Sequence, residues 1–554
     1  MSGVFLAAVL IAAENPALTS SKPAISMTTA AQDYLSLHQK DGRGKIWVFF
    51  TDKGVFSKSN LSTALQAQEQ QLSERALARR AKHGVEGARV ADLPVRTDYV
   101  EQVEALGAKL RHESKWLNAA SFEVDLQLLN RIAALPFVAR IQPVALYQQE
   151  YDTPAERSDK QEPPQPQAAG VNTLDYGGSF AQLDQINVPV CHDSGYAGQG
   201  VIISVFDTGF RTTHDAFFNA NMFGRVLATW DFVFGDTIVD NEAEDWSSAW
   251  NHGTSTWSIC GGLAAGTHYG PAYGASFIVC KTEDVRSETE VEEDNWVAAL
   301  EWVEGLGADI ITSSLTYTDW YSAFDYDGNT CVITIAADSG AALGLLICNS
   351  AGNSGPSAST LGAPADADSI MTIGAVYYDG SIASFSSRGP TADGRIKPEV
   401  CARGVDVNRA TSTADNTFSA YGSGTSYSCP LVAGAAAIVW GAHPEWTNMQ
   451  VREALMMTAD NALTPDNTYG WGTINTWAAI HYSFGGEPFI AGDANGDGIV
   501  NITDVTFIIQ YIFNNGMAPD PYESGDADGS GEVNITDAVY LIAYIFGGGS
   551  APVQ

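Results

Sequence analysis

The chain has 554 residues and a formal net charge of −36, from 29 lysines and arginines against 65 aspartates and glutamates. It is too long for one ordinary domain, and its hydrophobic content of 45% is sufficient for buried cores. The acidic balance argues against nucleic acids and anionic membranes as partners. No apolar run reaches the roughly 18–20 residues that a membrane span requires.

The first residues predict a signal peptide. A short apolar run, Val4–Ala13, precedes a polar stretch, although no lysine or arginine stands in front of it. We therefore expect a signal peptide within residues 1–30 and a secreted protein. The alternative, that this run is not a signal, stays open at this level.

Residues 45–148 alternate strand-like and helix-like patterns and predict a small α+β domain. Its predicted strands are Lys45–Phe50, Trp116–Val124 and Val138–Val144, and its predicted helices are Gln68–Lys82 and Asp98–Leu106. Residues 31–150 hold 16 basic and 14 acidic side chains, whereas the chain from residue 171 onward holds 10 and 46. Residues 149–170, rich in Pro, Glu, Gln and Asp, predict a linker.

Residues 171–483 alternate β and α patterns. Val201–Phe206 and Ile310–Ser314 are continuous apolar runs, which are typical of buried parallel strands. Further predicted elements are the strands Leu343–Asn349 and Ser369–Val376 and the helices Trp296–Leu306 and Ser426–Trp440. The alternation predicts an α/β fold with a doubly wound, mostly parallel sheet, in which catalytic groups lie at the carboxyl ends of strands.

Three short motifs in this segment supply an acid, a base and a nucleophile. Asp207 lies in Val-Phe-Asp-Thr-Gly, His252 follows in Asn-His-Gly-Thr after 45 positions, and Ser426 follows in Gly-Thr-Ser-Tyr-Ser-Cys-Pro after a further 174. A serine hydroxyl needs an imidazole to take its proton, and the imidazole needs a carboxylate to fix its tautomer. The order Asp, His, Ser therefore predicts a catalytic triad.

A fourth motif, Ala-Gly-Asn-Ser-Gly, places Asn353 between the histidine and the serine. Its amide is predicted to donate to the developing oxyanion, together with backbone N–H groups where the helix of Ser426 begins. Taken singly, Asp-Thr-Gly is most often a turn and Gly-Thr-Ser most often a helix cap. Their order and their placement on compatible elements favour the catalytic interpretation.

With these motifs, residues 171–483 resemble the subtilase (subtilisin-like serine protease) family. The resemblance implies endopeptidase activity, with Asp207, His252 and Ser426 as the triad and Asn353 as the oxyanion donor. It also implies two sets of substrate-binding residues. One is an edge strand that pairs with the substrate backbone, formed by Ser314, Leu315 and Thr316. The other shapes the primary specificity pocket and consists of Ala351, Gly352 and Gly362.

The chain departs from the family pattern at a few positions. Cys429 and Leu431 stand where alanine and histidine are usual, and neither is expected to touch the chemistry. Thr316 replaces a common glycine in the substrate strand, so we expect a narrowed pocket entrance and a preference for apolar or small side chains.

Residues 45–148 resemble, more loosely, the N-terminal propeptides of secreted subtilases. The resemblance implies a chaperone-inhibitor whose C-terminal tail lies in the active site, with cleavage within residues 148–169. Its nearly neutral charge beside an acidic body suits a segment that docks and later leaves. An independent domain of unrelated role is the alternative.

Residues 490–548 contain an internal repeat with an offset of 33 residues. Each copy is a 12-residue loop with oxygen-bearing side chains at positions 1, 3, 5, 9 and 12 and glycine at position 6, followed by an apolar helix, Val505–Phe513 or Ala538–Phe546. Ca²⁺ prefers six to eight such oxygens. The predicted ligands are Asp493, Asn495, Asp497, Asn501 and Asp504 in the first loop, and Asp526, Asp528, Ser530, Asn534 and Asp537 in the second.

This duplicated segment resembles a type I dockerin module, which implies a cohesin-type protein partner. A pair of ordinary Asp/Asn/Gly turns is the alternative. The seven cysteines are odd in number and include no Cys-x-x-Cys, which argues against a zinc site. Cys260, Cys280 and Cys348 are expected in the core, and one or two disulfides stay open.

Together these features predict a secreted serine endopeptidase that acts on polypeptides and carries a calcium-dependent attachment module. A catalytically inactive subtilisin-like binding component is the main alternative, which the intact triad and Asn353 oppose. An intracellular calcium-binding protein is a weaker alternative, which the propeptide-like segment opposes.

Overall fold

The computed structural model describes Leu35 and residues 42–54, 57–147, 174–284, 291–318, 320–484, 489–514, 516–519, 521–530 and 533–553. The predicted signal peptide (1–30), the linker (149–170) and the expected cleavage region lie outside the described residues. No helix in the described part of the chain is long and apolar enough to cross a membrane.

The N-terminal segment folds as a four-stranded antiparallel sheet with helices, which confirms the small α+β domain. The strand order is β2-β3-β1-β4. Its strands are β1 (Arg43–Phe50), β2 (Lys109–Ser114), β3 (Ala119–Asp125) and β4 (Val138–Pro143), and its helices are α1 (Lys58–Glu69), α2 (Glu74–Lys82), α3 (Thr97–Glu104) and α4 (Leu129–Ala133). Its core includes Ile46, Val48, Phe122 and Ile141.

The predicted helix Gln68–Lys82 is wrong in its first part, because two helices meet there. α1 ends at Glu69, and α2 begins after Ser73, whose side chain accepts a hydrogen bond from the Ala76 amide. The Ser73 amide donates to the carbonyl of Gly305, in the following domain, at 3.0 Å. A helix cap and a tertiary contact together interrupt a sequence that could otherwise continue as one helix.

The next domain is built on a seven-stranded sheet with the order β15-β14-β13-β12-β6-β10-β7, and every pairing within it is parallel. This confirms the α/β fold. The strands are β6 (Ile202–Asp207), β7 (Val226–Asp231), β10 (Ser276–Lys281), β12 (Ile310–Ser313), β13 (Leu346–Ser350), β14 (Met371–Val376) and β15 (Val400–Arg403). β6 is buried along its whole length, as its apolar run predicts.

Helices cover both faces of this sheet. The sheet separates two apolar clusters, one on each face. The helices are α5 (Phe180–Asp184), α6 (Val188–Asp193), α7 (Phe218–Met222), α8 (Asn251–Gly261), α9 (Glu293–Leu306), α10 (Val332–Ala341), α11 (Thr425–Ala442), α12 (Asn448–Met457) and α13 (Thr476–Ile480). Shorter strand pairs are β8 (Leu263–Ala264) with β9 (His268–Tyr269) and β16 (Val407–Ala410) with β17 (Phe418–Gly422).

The N-terminal domain docks on this domain in two ways. Its strand β5 (Leu146–Tyr147) pairs antiparallel with β11 (Val291–Glu292), immediately before α9. Its side chains Trp47 and Phe49 belong to one of the two core clusters of the α/β domain. The two domains therefore share one continuous apolar core.

The C-terminal segment consists of two loop–helix units whose helices, α14 (Ile502–Asn514) and α15 (Ile535–Gly547), pack on each other. Val505, Ile508, Ala538 and Leu541 form its small core. All seven cysteines of the chain are buried and none forms a disulfide, so the bridges that the sequence left open are absent.

Candidate active site

The three predicted triad residues lie at the ends of three elements. Asp207 is the last residue of β6, His252 is the second residue of α8, and Ser426 is the second residue of α11. Asp207 is fully buried. The strand end and the two helix starts bring the acid, the base and the hydroxyl to the carboxyl edge of the sheet, as expected for this class of fold.

Asp207 and His252 form a short, shielded pair. Nδ1 of His252 lies 2.7 Å from Oδ1 of Asp207, so the Nδ1–H tautomer donates to the carboxylate. The other carboxylate oxygen accepts from Oγ1 of Thr256 at 2.8 Å, and the Thr208 amide donates to Oδ1 at 2.8 Å. These donors fix the carboxylate, and Nε2 of the imidazole is left as the basic nitrogen.

Ser426 lies beside the end of strand β12. Its hydroxyl is 3.4 Å from the carbonyl oxygen of Ser314, and the Ser314 hydroxyl donates back to the Ser426 carbonyl at 3.0 Å. The ring of the next residue, Tyr427, lies 6.2 Å from the His252 ring, centroid to centroid. The imidazole therefore faces the start of α11.

Asn353 follows strand β13 and is oriented by the residue before the serine. Its Oδ1 accepts from the amide of Thr425 at 2.9 Å and from the Thr425 hydroxyl at 3.0 Å. With the oxygen held in this way, the amide nitrogen lies near Gly424: a Cβ added there would be 3.7 Å from Nδ2. Asn353 therefore lies beside the start of the helix that carries Ser426.

The predicted substrate-binding residues come together around one side chain, Thr316. A Cβ on Gly362 would lie 2.3 Å from Thr316 Cγ2, and one on Gly352, which has φ +99°, would lie 3.7 Å from Thr316 Oγ1. Leu315 and Ala351 are fully buried. Strand β12 ends at Ser313, so residues 314–316 follow the strand and are not part of a ladder.

Comparisons with known proteins identify the family of each part of the chain. The model of the subtilase family matches residues 198–472, that of the Bacteroidota peptidase S8 propeptide domain matches residues 45–162, and that of the dockerin type I domain matches residues 491–546. Subtilisin E of Bacillus subtilis (strain 168) is 30% identical over 380 residues, which cover 67% of this chain and 83% of that protein. The chain belongs to the subtilase family. It is a serine endopeptidase that carries a propeptide domain and a dockerin module.

Two further bacterial proteases are similar in sequence to this chain. The alkaline protease of Alkalihalobacillus alcalophilus is 28% identical over 388 residues, with 69% of this chain and 88% of that protein covered. Serine protease AprX of Bacillus subtilis (strain 168) is 27% identical over 304 residues, with 50% of this chain and 65% of that protein covered.

The propeptide of this subtilase contacts a row of buried acids on helix α9, which the sequence analysis did not identify. Glu293 accepts from Trp47 Nε1 and from the Ala145 amide, both at 3.1 Å, and burial raises the pKa of Glu293 to about 7. Glu301 accepts from the Ser114 hydroxyl at 2.6 Å. Each acceptor is on the protease domain and each donor on the propeptide.

Charged pairs continue this interface at both ends of α9. Arg111 Nε lies 2.8 Å from Asp294 Oδ2, which contributes to holding the pKa of that carboxyl below its usual range. Arg79 and Arg80 both bond to Glu304. The helical pattern of residues 74–82 placed the arginines on a helix, but nothing local in the sequence indicates their partners more than 200 positions away.

Glu283, an acid that no motif in the sequence indicates, lies close to the Asp207–His252 pair. It is fully buried two residues after β10, and its Oε1 accepts from the Tyr317 hydroxyl at 2.7 Å. Strand β10 pairs with β6, which places Lys281 opposite Asp207. Its only sequence signal is a glutamate two residues after a buried strand.

The dockerin module of the subtilase has donor groups suited to calcium. In the second loop, carboxylate oxygens of Asp526, Asp528 and Asp537 lie within 4.8 Å of one another. The last acid of each loop accepts from two loop amides: Asp504 from Asn495 and Asn501, at 3.2 and 2.8 Å, and Asp537 correspondingly from Asp528 and Asn534, at 3.1 and 2.8 Å. Such clustered oxygens fit a hard cation, and Ca²⁺ is the cofactor of the module.

Proposed function

We propose that this subtilase is a secreted endopeptidase that hydrolyses peptide bonds with Asp207, His252 and Ser426 as its triad and Asn353 as its oxyanion donor. The observation that carries the proposal is the 2.7 Å contact between the buried Asp207 carboxylate and His252, whose ring faces the helix of Ser426. The same contact disfavours the inactive alternative, because a binding component has no need for a shielded acid–base pair.

The chemistry follows from the roles of these groups. His252 Nε2 takes the proton of Ser426 Oγ as the oxygen attacks the scissile carbonyl, and Asp207 stabilises the imidazolium that forms. The Asn353 amide and the first backbone N–H groups of α11 stabilise the negative oxygen. The imidazolium then gives its proton to the leaving amine, and water hydrolyses the acyl-enzyme by the same route in reverse.

For substrate selection, we assign the primary pocket to Thr316, Ala351, Gly352 and Gly362, and the adjoining backbone contact to Ser314 and Leu315. The crowding of Gly362 against the Thr316 methyl supports a pocket that takes small or apolar side chains. Strand β5 of the propeptide adds to the protease domain at β11, and we assign the same edge to the backbone of a bound substrate.

Residues 45–148 are in this proposal the inhibitory propeptide, residues 171–483 the catalytic domain and residues 490–548 the attachment module. The ten oxygen-bearing side chains of the two loops, from Asp493 to Asp504 and from Asp526 to Asp537, would hold two calcium ions. The two helices packed behind them would then present a surface to a cohesin-type partner outside the cell.

Labelling with a fluorophosphonate tests the catalytic part of this proposal. The probe reacts with a serine only where a base activates the hydroxyl, so the processed wild-type protein should be labelled. Ser426→Ala should not be labelled, and His252→Ala should lose most of the signal. Equal labelling of Ser426→Ala and wild type would exclude Ser426 as the nucleophile.

A further inference from the structure

Glu283 is fixed to the strand end that carries the catalytic acid. The backbone amide of the preceding residue, Thr282, donates to the carbonyl of Asp207 at 2.9 Å. The carbonyl of Thr282 accepts from Asn295 Nδ2, on helix α9, at 3.0 Å. The backbone leading into Glu283 is therefore held on both sides, and its carboxyl has little freedom to move away from the Asp207–His252 pair.

The carboxyl of Glu283 has unequal surroundings at its two oxygens. Oε1 accepts from the Tyr317 hydroxyl at 2.7 Å and from Thr282 Oγ1 at 3.0 Å. Oε2 is also buried, but no hydrogen-bond partner for it lies among the described residues. A buried polar atom without a partner is rare in proteins and calls for an explanation.

Tyr317 connects this carboxyl to the wall of the primary pocket. Its amide donates to the Ala363 carbonyl at 2.8 Å, and the Ala363 amide donates back at 3.1 Å. Thr316 directly precedes Tyr317, and Gly362 directly precedes Ala363. The Thr316 methyl lies so close to Gly362 that a Cβ added there would collide with it. The Glu283–Tyr317 hydrogen bond thus joins the pocket wall to the strand end of the catalytic acid.

Burial of Glu283 favours its neutral form at neutral pH. Burial raises its pKa to about 8, and the negative charge of Asp207 contributes to the rise, whereas the hydrogen bonds from Tyr317 and Thr282 and the charge of His252 act in the opposite direction. The nearest ammonium along the chain, Lys281, is bound to Asp231 at 2.9 Å and Asp245 at 2.8 Å.

We propose that Glu283 is a positioning residue for proteolysis: as a neutral acid it holds Tyr317 and the pocket wall in register with the Asp207–His252 pair, and when ionised it adds a second negative charge beside His252. This inference rests on the catalytic roles given above. A second anion would favour the imidazolium that forms during acylation, so turnover should increase as Glu283 loses its proton.

The test is the pH dependence of kcat and KM for the processed enzyme with a peptide substrate. In the wild-type enzyme, kcat should rise once with pH as His252 becomes neutral. It should then show a second rise, of about threefold or more, between about pH 7.5 and 9. Glu283→Gln can still accept from Tyr317 but cannot ionise, so it should lose the second rise. Tyr317→Phe removes a donor to the carboxylate, so it should move the second rise to higher pH.

The variant Glu283→Leu tests the positioning role separately from the effect of the negative charge. It should raise KM and lower kcat about tenfold at pH 7, where the carboxyl is neutral, and Glu283→Gln should restore most of this loss. Asp338→Asn is the matched control. Asp338 is a partly buried acid whose pKa is also raised by burial, to about 6, but it accepts from the amides of Asp368 and Ser369 and does not adjoin the catalytic pair. It should retain the second rise.

Two results would overturn the inference. If kcat of the wild-type enzyme shows no second rise with pH, or if Glu283→Gln retains that rise unchanged, the charge effect is excluded. Equal kcat and KM for Glu283→Leu, Tyr317→Phe and wild type at pH 7 excludes positioning. Tyr317→Phe reports on the same hydrogen bond if Glu283→Leu does not fold. A wild-type enzyme that does not react with a fluorophosphonate at any pH refutes the proposed function instead.

Discussion

Arg80 of the propeptide forms a bidentate ion pair with Glu304 of the protease domain, with Nε 2.8 Å from Oε1 and Nη2 2.7 Å from Oε2. Both side chains are fully buried, and Arg80 Nη1 also lies 2.8 Å from Asp92 within the propeptide. Arg79 bonds to the same glutamate. One carboxylate thus compensates two buried guanidinium groups across the interface.

Glu304→Gln should weaken propeptide docking, because it leaves two buried arginines with too little negative charge. We expect the propeptide to dissociate about 100-fold faster or more, the size typical of breaking one side of a buried pair. The lag before peptide hydrolysis, measured after dilution of the processed complex, reports this rate. Glu123→Gln is the matched control, because its exposed pair with Arg43 within the propeptide should change the lag less than twofold. An unchanged lag in Glu304→Gln would show that the pair does not hold the domains together.

Ser426→Ala should abolish both peptide hydrolysis and release of the 45–148 segment. The reason is that strand β5, the last described element of the propeptide, is docked on the protease domain through β11, and we expect the chain that follows it to be cut by the protein's own serine. Electrophoresis of the variant expressed in a protease-deficient host checks this. A shortened species from that variant would mean that another protease processes the chain.

Asn353→Ala should leave the fold intact and lower kcat about 10²-fold or more, the magnitude known for loss of such an oxyanion donor. The contact of Asn353 with Thr425 orients its amide, so Thr425→Val should cause a smaller loss in the same direction. Steady-state kinetics and thermal melting separate the two effects. Turnover within about threefold of wild type at an unchanged Tm would remove Asn353 from the mechanism.

Thr316→Gly should widen the primary pocket, because the Thr316 methyl now occupies the space next to Gly362. We expect the ratio of kcat/KM for a substrate with phenylalanine before the scissile bond to that for alanine to increase about tenfold. Paired chromogenic peptides measure the ratio, which is insensitive to the amount of active enzyme. If the ratio is the same in both proteins, Thr316 does not line the pocket.

Removal of calcium should unfold the dockerin module before the protease domain. Its core is small, and without a cation the carboxylates within each loop repel one another. In the full chain carrying Ser426→Ala, calorimetry should show a transition that moves to higher temperature with calcium, and titration should give two ions bound. At 100 times the dissociation constant, one such ion contributes about 2.7 kcal/mol.

Asp493→Ala combined with Asp526→Ala should abolish this calcium dependence, since each is the first ligand of its loop. Glu453→Gln, which affects an acid bonded to Tyr482 outside the module, is a control that should retain it. If the melting profile of the unaltered module does not respond to calcium, the two loops are ordinary turns and not calcium sites.

The sequence alone predicts the parallel sheet and the residues proposed for catalysis, because both depend on local patterns. A continuous apolar run such as Val201–Phe206 has few alternatives to a buried strand, and Asp207 follows it directly. The calcium loops are predicted in the same way, since their ligands and glycines lie within 12 consecutive residues and recur after 33.

Only the tertiary structure decides the pairings between distant residues. Arg80 and Glu304 are separated by 224 positions and Glu283 and Tyr317 by 34, and neither pair has a local signature. The break between α1 and α2 combines a local cap at Ser73 with a contact to Gly305, far along the chain. Burial gives these groups their importance, because a charge or hydroxyl removed from water must find a partner wherever the fold brings one.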